Sequence, residues 1–255
     1  RTNPATRGPQ FGLTLEGLRD LAFDSYLPAF EESIPTIVEA WDQTPGSDPL
    51  KERVAEQVQL LRDWDLRWDV VTVPTALAIF WAEAYDDAAR ATARAAGLTT
   101  TEFLRDPASR EARLQALVSA SERLEEDFGN WRTPWGEINR FQRLTGDIRQ
   151  PFNDDEPSTP VGFTSSRYGS LASFGARRYP GTVRFYGTSG NSFVAVVEFG
   201  DSVRAHAVTA GGLNSDPSSP HFNDQAQRYT TGNLRAVYFY PADIRTHTEP
   251  EHHPG

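Results

Sequence analysis

The sequence lacks cysteine and methionine altogether and contains a single lysine, Lys51, among its 255 residues. Without cysteine the chain has no disulfide bridge, no thiolate metal site and no thiol nucleophile. The redox compartment stays open, because an oxidising space does not require disulfides. Without methionine the chain does not contain its own start residue, so we expect a processed product or a part of something longer.

A long apolar run is also missing. No stretch approaches the roughly 18 residues that a membrane-spanning helix needs. Acidic residues outnumber basic ones by 35 to 25, which gives a formal net charge of -10. A surface of that sign repels phosphate backbones. We therefore expect neither a nucleic acid nor a membrane among the partners of this chain.

Residues 1–130 carry helical patterns, and we predict that they form a helical segment covering the core. Ser, Thr and Asp accept a hydrogen bond from the free N–H groups of a first helical turn, and Pro is tolerated there. The predicted helix starts are Thr14, Asp48, Pro74 and Asp106. Gly97 and Gly129 are predicted helix ends. Pro28 and Pro35 are expected to break the first helical stretch into pieces.

The composition changes at Trp131, and residues 145–180 are dense in Gly, Pro, Ser, Asn and Asp. This predicts a long ordered loop region over 131–180. Residues 181–255 are predicted to complete the same domain with antiparallel strands at 182–186, 192–199, 204–209 and 236–240. We interpret 187–190 as part of a hairpin turn and not as a phosphate loop, because no helix follows it. Helices first and strands later predict an α+β fold.

The histidines do not form a metal-binding pattern. His206 lies in a predicted strand, where a structural histidine is more common than a ligand. His252 and His253 are adjacent, so their side chains diverge, and no HExxH or facial-triad spacing occurs. We expect no cofactor and no metal in this segment.

Ser219, His221 and Asp224 have the residue types of a hydrolytic triad. They lie within six residues of one another and Pro220 stiffens the link, so they cannot converge as nucleophile, base and orienting group. We predict a tight turn closed by local hydrogen bonds instead. From its residues alone, the chain is a scaffold without a visible catalyst.

The tryptophans leave two interpretations open. Five of them are candidates for a shared face: Trp64, Trp68, Trp81, Trp131 and Trp135. In a surface groove they would form a stacking platform for sugars, whereas at helical spacing beside Leu and Val they are more often core.

Five passages occur in the order known from one protein family. Residues 210–225 run from a strand through a Gly-Gly turn to Ser-Pro-His-Phe-Asn-Asp-Gln, and residues 190–194 enter a strand. Upstream are Phe-Gly-Asn-Trp-Arg-Thr-Pro-Trp-Gly at 128–136, a Leu-Arg-Asp-Trp-Asp core within 60–68 and the helix start at 13–16. Together the passages resemble the C-terminal half of the β-subunit in the penicillin acylase family, and the strand at 192–199 leans toward acyl-homoserine-lactone and aculeacin acylases.

This resemblance implies an N-terminal nucleophile hydrolase with a four-layer αββα core. The precursor cleaves itself, and the new N-terminal Ser of the β-subunit attacks an amide carbonyl with its own α-amino group as base. An α-amine titrates near pH 7.7–8.0, so it accepts the hydroxyl proton at about neutral pH without a histidine. An Asn side chain and backbone N–H groups hold the oxyanion.

The resemblance also places the nucleophile, the oxyanion Asn and any calcium site upstream of this chain, which has Arg at position 1. Arg1 is the one catalytic residue carried over, with the role of orienting the Asn or binding an anionic part of the substrate. Arg7 competes for that role, and an ordinary surface arginine is the alternative for Arg1.

The expected function is therefore a share in amide hydrolysis, with N-acyl-homoserine lactone, penicillin or a related N-acyl compound as the small-molecule substrate. The expected partners are the α-subunit and the N-terminal half of the β-subunit of the same acylase, in a periplasmic or secreted enzyme. By itself this segment is expected to be inactive. The alternatives are a non-enzymatic α+β module that binds carbohydrate or peptide, and a family member that has lost catalysis.

Overall fold

The computed structural model describes residues 13–248, which form an α+β fold with helices first and strands later. None of the helices within 13–248 combines the length and the hydrophobicity that crossing a membrane requires. The helices are α1 (Leu15–Ala22), α2 (Phe30–Gln43), α3 (Pro49–Arg53), α4 (Ala55–Arg62), α5 (Val73–Ala95), α6 (Thr100–Arg105), α7 (Arg110–Phe128), α8 (Trp135–Ile138), α9 (Ala226–Thr231) and α10 (Pro241–His247).

Three of the four predicted helix starts are confirmed by capping hydrogen bonds, and the fourth, at Pro74, is confirmed by the proline in the first turn of α5. Thr14 Oγ1 accepts a hydrogen bond from Gly17 N at 3.0 Å, and Asp48 Oδ1 accepts one from Leu50 N at 2.9 Å. Asp106 caps a short 3-10 turn, Pro107–Ser109, that leads into α7. These local signals work because a side-chain acceptor replaces the partner that the first N–H groups of a helix lack.

The ends of two long helices are confirmed in the same way. Gly97 follows α5 with a φ of 72°, and Gly129 follows α7 with a φ of 76°. This left-handed backbone closes a helix, and glycine adopts it without a steric cost from Cβ.

The prediction that Pro35 breaks the first helical stretch was wrong, because Pro35 lies inside α2. The helix continues through it since Phe30, Ile34 and Ile37 on one face of α2 are buried in the core. Proline removes only one helical N–H, and this packing offsets the loss. The helix predicted from Asp48 is instead interrupted at Val54, between α3 and α4.

The first hydrophobic core lies among α2, α4, α5 and α7 and reaches the strands. Phe80 of α5 is almost fully buried and stacks on Phe185, with 5.4 Å between ring centroids. The ring of Phe128, at the end of α7, meets Phe80 edge-on at 6.5 Å. Phe80 therefore joins the helical layer to a sheet.

Within residues 13–248, seven short strands form two sheets. They are β1 (Asn139–Phe141), β2 (Thr159–Pro160), β3 (Phe174–Arg178), β4 (Phe185–Gly190), β5 (Phe193–Glu198), β6 (Arg204–Thr209) and β7 (Arg235–Ala236). The larger sheet has the order β2-β1-β4-β3, in which β1 and β4 are parallel and the other pairs antiparallel. The smaller sheet has the antiparallel order β5-β6-β7.

The prediction of a hairpin turn at 187–190 was wrong. These residues belong to β4, which pairs with β1 and β3, while β5 belongs to the other sheet. The region 131–180, predicted as loop, also contains α8 and the strands β1, β2 and β3. Position 187 of β4 requires a glycine, because a Cβ there would collide with the ring of Phe174 on the neighbouring strand. The last strand likewise covers 235–236 in place of 236–240.

A second hydrophobic core lies between the two sheets. Phe163 and Phe174 from the region of the larger sheet meet Val196 and Val208 of the smaller one, and Tyr229 of α9 completes the cluster. The larger sheet thus contacts the helical core on one side and the smaller sheet on the other. The resulting order of layers is helices, larger sheet, smaller sheet.

Candidate functional site

Arg1, the predicted catalytic residue, and its competitor Arg7 lie outside the residues that the structure describes, as do His252 and His253. The role of Arg1 therefore stays a prediction.

The segment with Ser219, His221 and Asp224 is a turn, as predicted. His221 Nδ1 lies 3.1 Å from Asp224 Oδ2, but Ser219 Oγ accepts a hydrogen bond from the backbone N–H of His221 at 3.2 Å. The serine hydroxyl is therefore engaged by the backbone, and the half-exposed His221 and Asp224 side chains form an i,i+3 pair. The three residues are not arranged as nucleophile, base and orienting group.

The remaining histidine candidate lies in a strand, as predicted. His206 lies in β6, half-buried, with Val196 and Ala236 opposite it on the neighbouring strands. Within residues 13–248, no group of three or more His, Asp or Glu side chains could hold a metal ion.

The tryptophans belong to the core, which decides between the two interpretations. Trp64, Trp81 and Trp135 are buried, and Trp68 and Trp131 are partly buried against the first core. Trp81 Nε1 donates to the Arg113 carbonyl at 3.0 Å, as a buried indole commonly does. These rings therefore do not form an open stacking platform.

Arg143, which the sequence did not single out, organises the passage at 210–225. Its Nη1 donates to the Phe222 carbonyl at 2.6 Å, and its Nη2 donates to the Asn214 carbonyl at 2.9 Å. The guanidinium also lies 4.2 Å from the centroid of the Phe222 ring. In return, Asn223 Nδ2 donates to the Arg143 carbonyl at 2.9 Å. We call this arrangement the Arg143 clamp.

The Gly-Gly turn of the same passage packs closely against the residues of the clamp. A Cβ on Gly212 would overlap the His221 carbonyl oxygen, and Gly211 has a φ of 92°. Gln225 closes the turn from the other side, since its Oε1 accepts a hydrogen bond from Thr209 N at 3.1 Å. The two glycines are the local signal for this packing; no sequence signal pointed to Arg143, which is 69 residues away from Gly212.

Next to the clamp lies a cavity of about 330 Å³ between the two sheets, which we call the inter-sheet cavity. Phe141, Phe174 and Tyr229 supply aromatic walls, and Gln142 and Thr188 supply polar ones. Burial raises the pKa of Tyr229, so its hydroxyl stays protonated at neutral pH. Arg143 is the only charged side chain among the described residues that line the cavity. Among its described lining residues the cavity therefore lacks the acid–base pair that proton-transfer chemistry needs.

Replacing Arg143 by methionine should loosen the passage at 210–225. We expect the free energy of unfolding to fall by about 1–3 kcal/mol, because the Phe222 and Asn214 carbonyls lose a charged donor. Hydrogen exchange should accelerate at the amide of Asn214, which donates to the His221 carbonyl within the clamped loop.

Arg140→Met is the matched control. Arg140 lies in β1, three residues before Arg143, but its guanidinium donates to Ser158 and to the Gly136 carbonyl. The Arg140→Met substitution should accelerate hydrogen exchange around Ser158 and leave exchange at Asn214 unchanged. Equal exchange at Asn214 in both variants would contradict the clamp.

The sequence model of the penicillin amidase family matches residues 5–246. The chain belongs to the penicillin amidase family. This membership confirms the family that the five sequence passages resemble. The Arg143 clamp of this penicillin amidase family chain lies at one of those passages, residues 210–225.

The solved structures similar to this penicillin amidase family chain include the thermostable penicillin G acylase from Alcaligenes faecalis, with 15% sequence identity and a TM-score of 0.46. The similarity covers 100% of this chain and 54% of that one, so the chain spans about half the length of the acylase chain. No curated protein shows a significant sequence match.

Proposed function

We propose that the chain is the C-terminal half of the β-subunit of an amide-hydrolysing acylase. The reaction is cleavage of an amide C–N bond by water, which gives a carboxylic acid and an amine. The family match over residues 5–246 supports the reaction class. We place the catalytic residues outside this chain, because the described residues do not assemble a nucleophile–base pair.

The catalyst then belongs to an upstream segment. An N-terminal Ser attacks the amide carbonyl, its α-amino group accepts the proton, and an Asn side chain with backbone N–H groups holds the oxyanion. Arg1 is assigned to orient that Asn or to bind an anionic part of the substrate. Any calcium ion is held upstream, and the substrate class is N-acyl-homoserine lactones, penicillins and related N-acyl compounds, in a periplasmic or secreted enzyme formed by self-cleavage.

The proposed partners are the α-subunit and the N-terminal half of the β-subunit. An apolar groove of about 360 Å³ between α1 and β5 supports this, with Leu18, Leu21 and Val194 among its walls. β5 is also an edge strand within the part of the fold described, and its Phe193 is 61% exposed. Edge strands with exposed apolar side chains favour pairing with a further segment.

The rival function, binding of carbohydrate or peptide through the tryptophans, loses its support because those rings are packed in the core. A family member without catalysis remains a distinct proposal, and the test below separates it from an active acylase.

The test is intact mass analysis and N-terminal sequencing of the purified protein, with and without a serine-directed sulfonyl fluoride. We expect companion chains, one of them beginning with Ser, Thr or Cys, and the label on that residue. An unlabelled protein with companion chains would identify a member without catalysis. A single chain of 28.4 kDa that begins at Arg1 and shows no label would overturn the proposed function.

A further inference from the structure

The two central strands of the larger sheet separate after a short parallel contact. Within residues 13–248, β1 and β4 pair at two positions, and the second of these is Arg140 with Tyr186. On the other edge of β4, β3 continues to pair as far as Gly190. Residues 187–190 therefore have one strand neighbour among the described residues, although β4 lies in the interior of the order β2-β1-β4-β3.

The backbone of 187–190 consequently has hydrogen-bonding groups on the side that β1 has left. In an antiparallel pair, residues alternate between facing the partner strand and facing away from it. Thr188 adds to the residues that do not bond to β3, because the register shifts there and Thr188 is the extra residue of a β-bulge. We call residues 187–190, on the side of β1, the open edge of β4.

The chain that follows β1 does not return to this edge. Gln142 bonds to the loop beyond it, since its Nε2 donates to the Asn153 carbonyl at 2.7 Å and its Oε1 accepts from Asn153 N at 2.9 Å. The backbone N–H groups of Leu144 and Thr145 donate to Gln150 Oε1. This loop therefore satisfies its own groups, and the inter-sheet cavity of about 330 Å³ has residues of both the loop and β4 on its walls.

The open edge is accessible to a partner. Thr188, Ser189 and Gly190 are exposed, and residues 187–190 all line the inter-sheet cavity. An exposed strand edge presents N–H and C=O groups at the spacing of a strand, so a further extended segment can pair with it.

Two occupants of this edge are disfavoured by the sequence. Residues 1–12 and 249–255 contain two prolines each, and a proline has no N–H to donate to a strand partner. A second copy of the chain would bring together two bodies that each carry a formal net charge of -10. The partner is therefore a different segment.

An upstream segment of the proposed acylase fits, because the open edge is continuous with the apolar groove between α1 and β5. Asn191 follows directly after the open edge and lines both the inter-sheet cavity and that groove. Asn191 is held in place by Ser173, whose carbonyl accepts from Asn191 N at 2.9 Å and whose N–H donates to Asn191 Oδ1 at 2.7 Å. One extended segment can thus pair with 187–190 and place its next residues beside Leu21 in the groove.

We propose that the open edge of β4 binds an extended segment of the upstream half of the β-subunit as an added strand, through backbone hydrogen bonds. Successive side chains of a strand point to opposite faces. Every second side chain of the segment therefore lies against the aromatic walls Phe141, Phe174 and Tyr229 and should be apolar. The inference rests on the proposed function, since it names where the upstream half binds.

The experiment introduces a photoreactive phenylalanine analogue at position 188 of the full-length protein, purified with its companion chains. Mass spectrometry then identifies the cross-linked peptides. We expect cross-links to one upstream segment that has apolar residues at alternate positions. Thr92 is the matched control, because it is an exposed threonine of α5, in the helical layer. The same analogue at position 92 should not reach that segment.

Hydrogen exchange of the unmodified protein is the second measurement, and it does not depend on the analogue. In an unoccupied edge, the amides directed away from β3 exchange as fast as exposed backbone, whereas an added strand slows them by at least about tenfold. We expect slow exchange throughout 187–190.

The outcomes distinguish this inference from the proposed function. A protein without an upstream segment or companion chain would overturn both. Where upstream chains are present, three results would each overturn the open edge as their binding site and leave the proposed function standing. These are fast exchange within 187–190, cross-links from position 188 only to this chain or a second copy of it, and equal cross-linking from positions 188 and 92.

Discussion

Phe80→Ala is expected to lower the free energy of unfolding by about 3–5 kcal/mol, as large-to-small substitutions of buried aromatic residues do. The ring of Phe80 lies between Phe128 of α7 and Phe185 of β4, and Arg123 lies 4.7 Å from its centroid. Its removal opens a cavity where the helical layer meets the larger sheet, and three neighbours lose contacts together.

The measurement is urea unfolding of the full-length protein followed by circular dichroism. Phe239→Ala serves as the control, because Phe239 is 67% exposed and its replacement should change the free energy by no more than about 0.5 kcal/mol. Equal effects of the two substitutions would show that Phe80 does not join the layers as described.

Gly190→Ala is the second substitution with a large expected effect, a loss of about 3–5 kcal/mol. Gly190 has a φ of 116°, a backbone conformation that L side chains rarely adopt. In addition, a Cβ at this position would overlap the backbone carbonyl of Ser173, on the neighbouring segment before β3. Strain and collision therefore act together at the end of β4.

Gly181→Ala separates these two causes. Gly181 has a similar positive φ of 83°, but a Cβ there would meet no atom within 4 Å. Its replacement should cost only the conformational strain, about 1–2 kcal/mol. If thermal or urea unfolding gave the same loss for both variants, the close approach of Ser173 to Gly190 would be refuted.

The parts of the fold that sequence reasoning predicted correctly depend on neighbouring residues. The caps at Thr14 and Asp48 and the helix end at Gly129 each involve atoms within a few positions of one another. All the atoms of such a signal lie within a short window of sequence, and tertiary packing did not change these helix ends.

The errors arose where a distant segment decides the outcome. Residues 187–190 have the composition of a turn, but β3 pairs with them and makes them part of a strand. Pro35 was expected to break a helix, but the buried face around Ile34 holds that helix together. Local composition predicts neither the pairing with β3 nor the burial of Ile34.

The same reason explains which site features were missed. Family resemblance led to the passage at 210–225, because its glycines and the Ser-Pro-His run are visible in the sequence. Arg143 gave no such signal, since its partner at Phe222 is 79 residues away. The role of such an arginine is visible only once the fold brings its distant carbonyl partners within hydrogen-bond distance.

The stacking of Phe185 on Phe80 also has a consequence for the time course of synthesis. The helical layer is complete in sequence at Phe128, but the residue that covers Phe80 follows some 60 residues later. At roughly 5–20 residues per second, a ribosome would leave that ring uncovered for on the order of 3–12 seconds. Ribosome-bound chains that stop before β4 should therefore bind a hydrophobic dye more strongly than chains that include it, and equal binding would contradict this order of events. During synthesis, the helical layer therefore exposes apolar surface around Phe80 until β4 has been made.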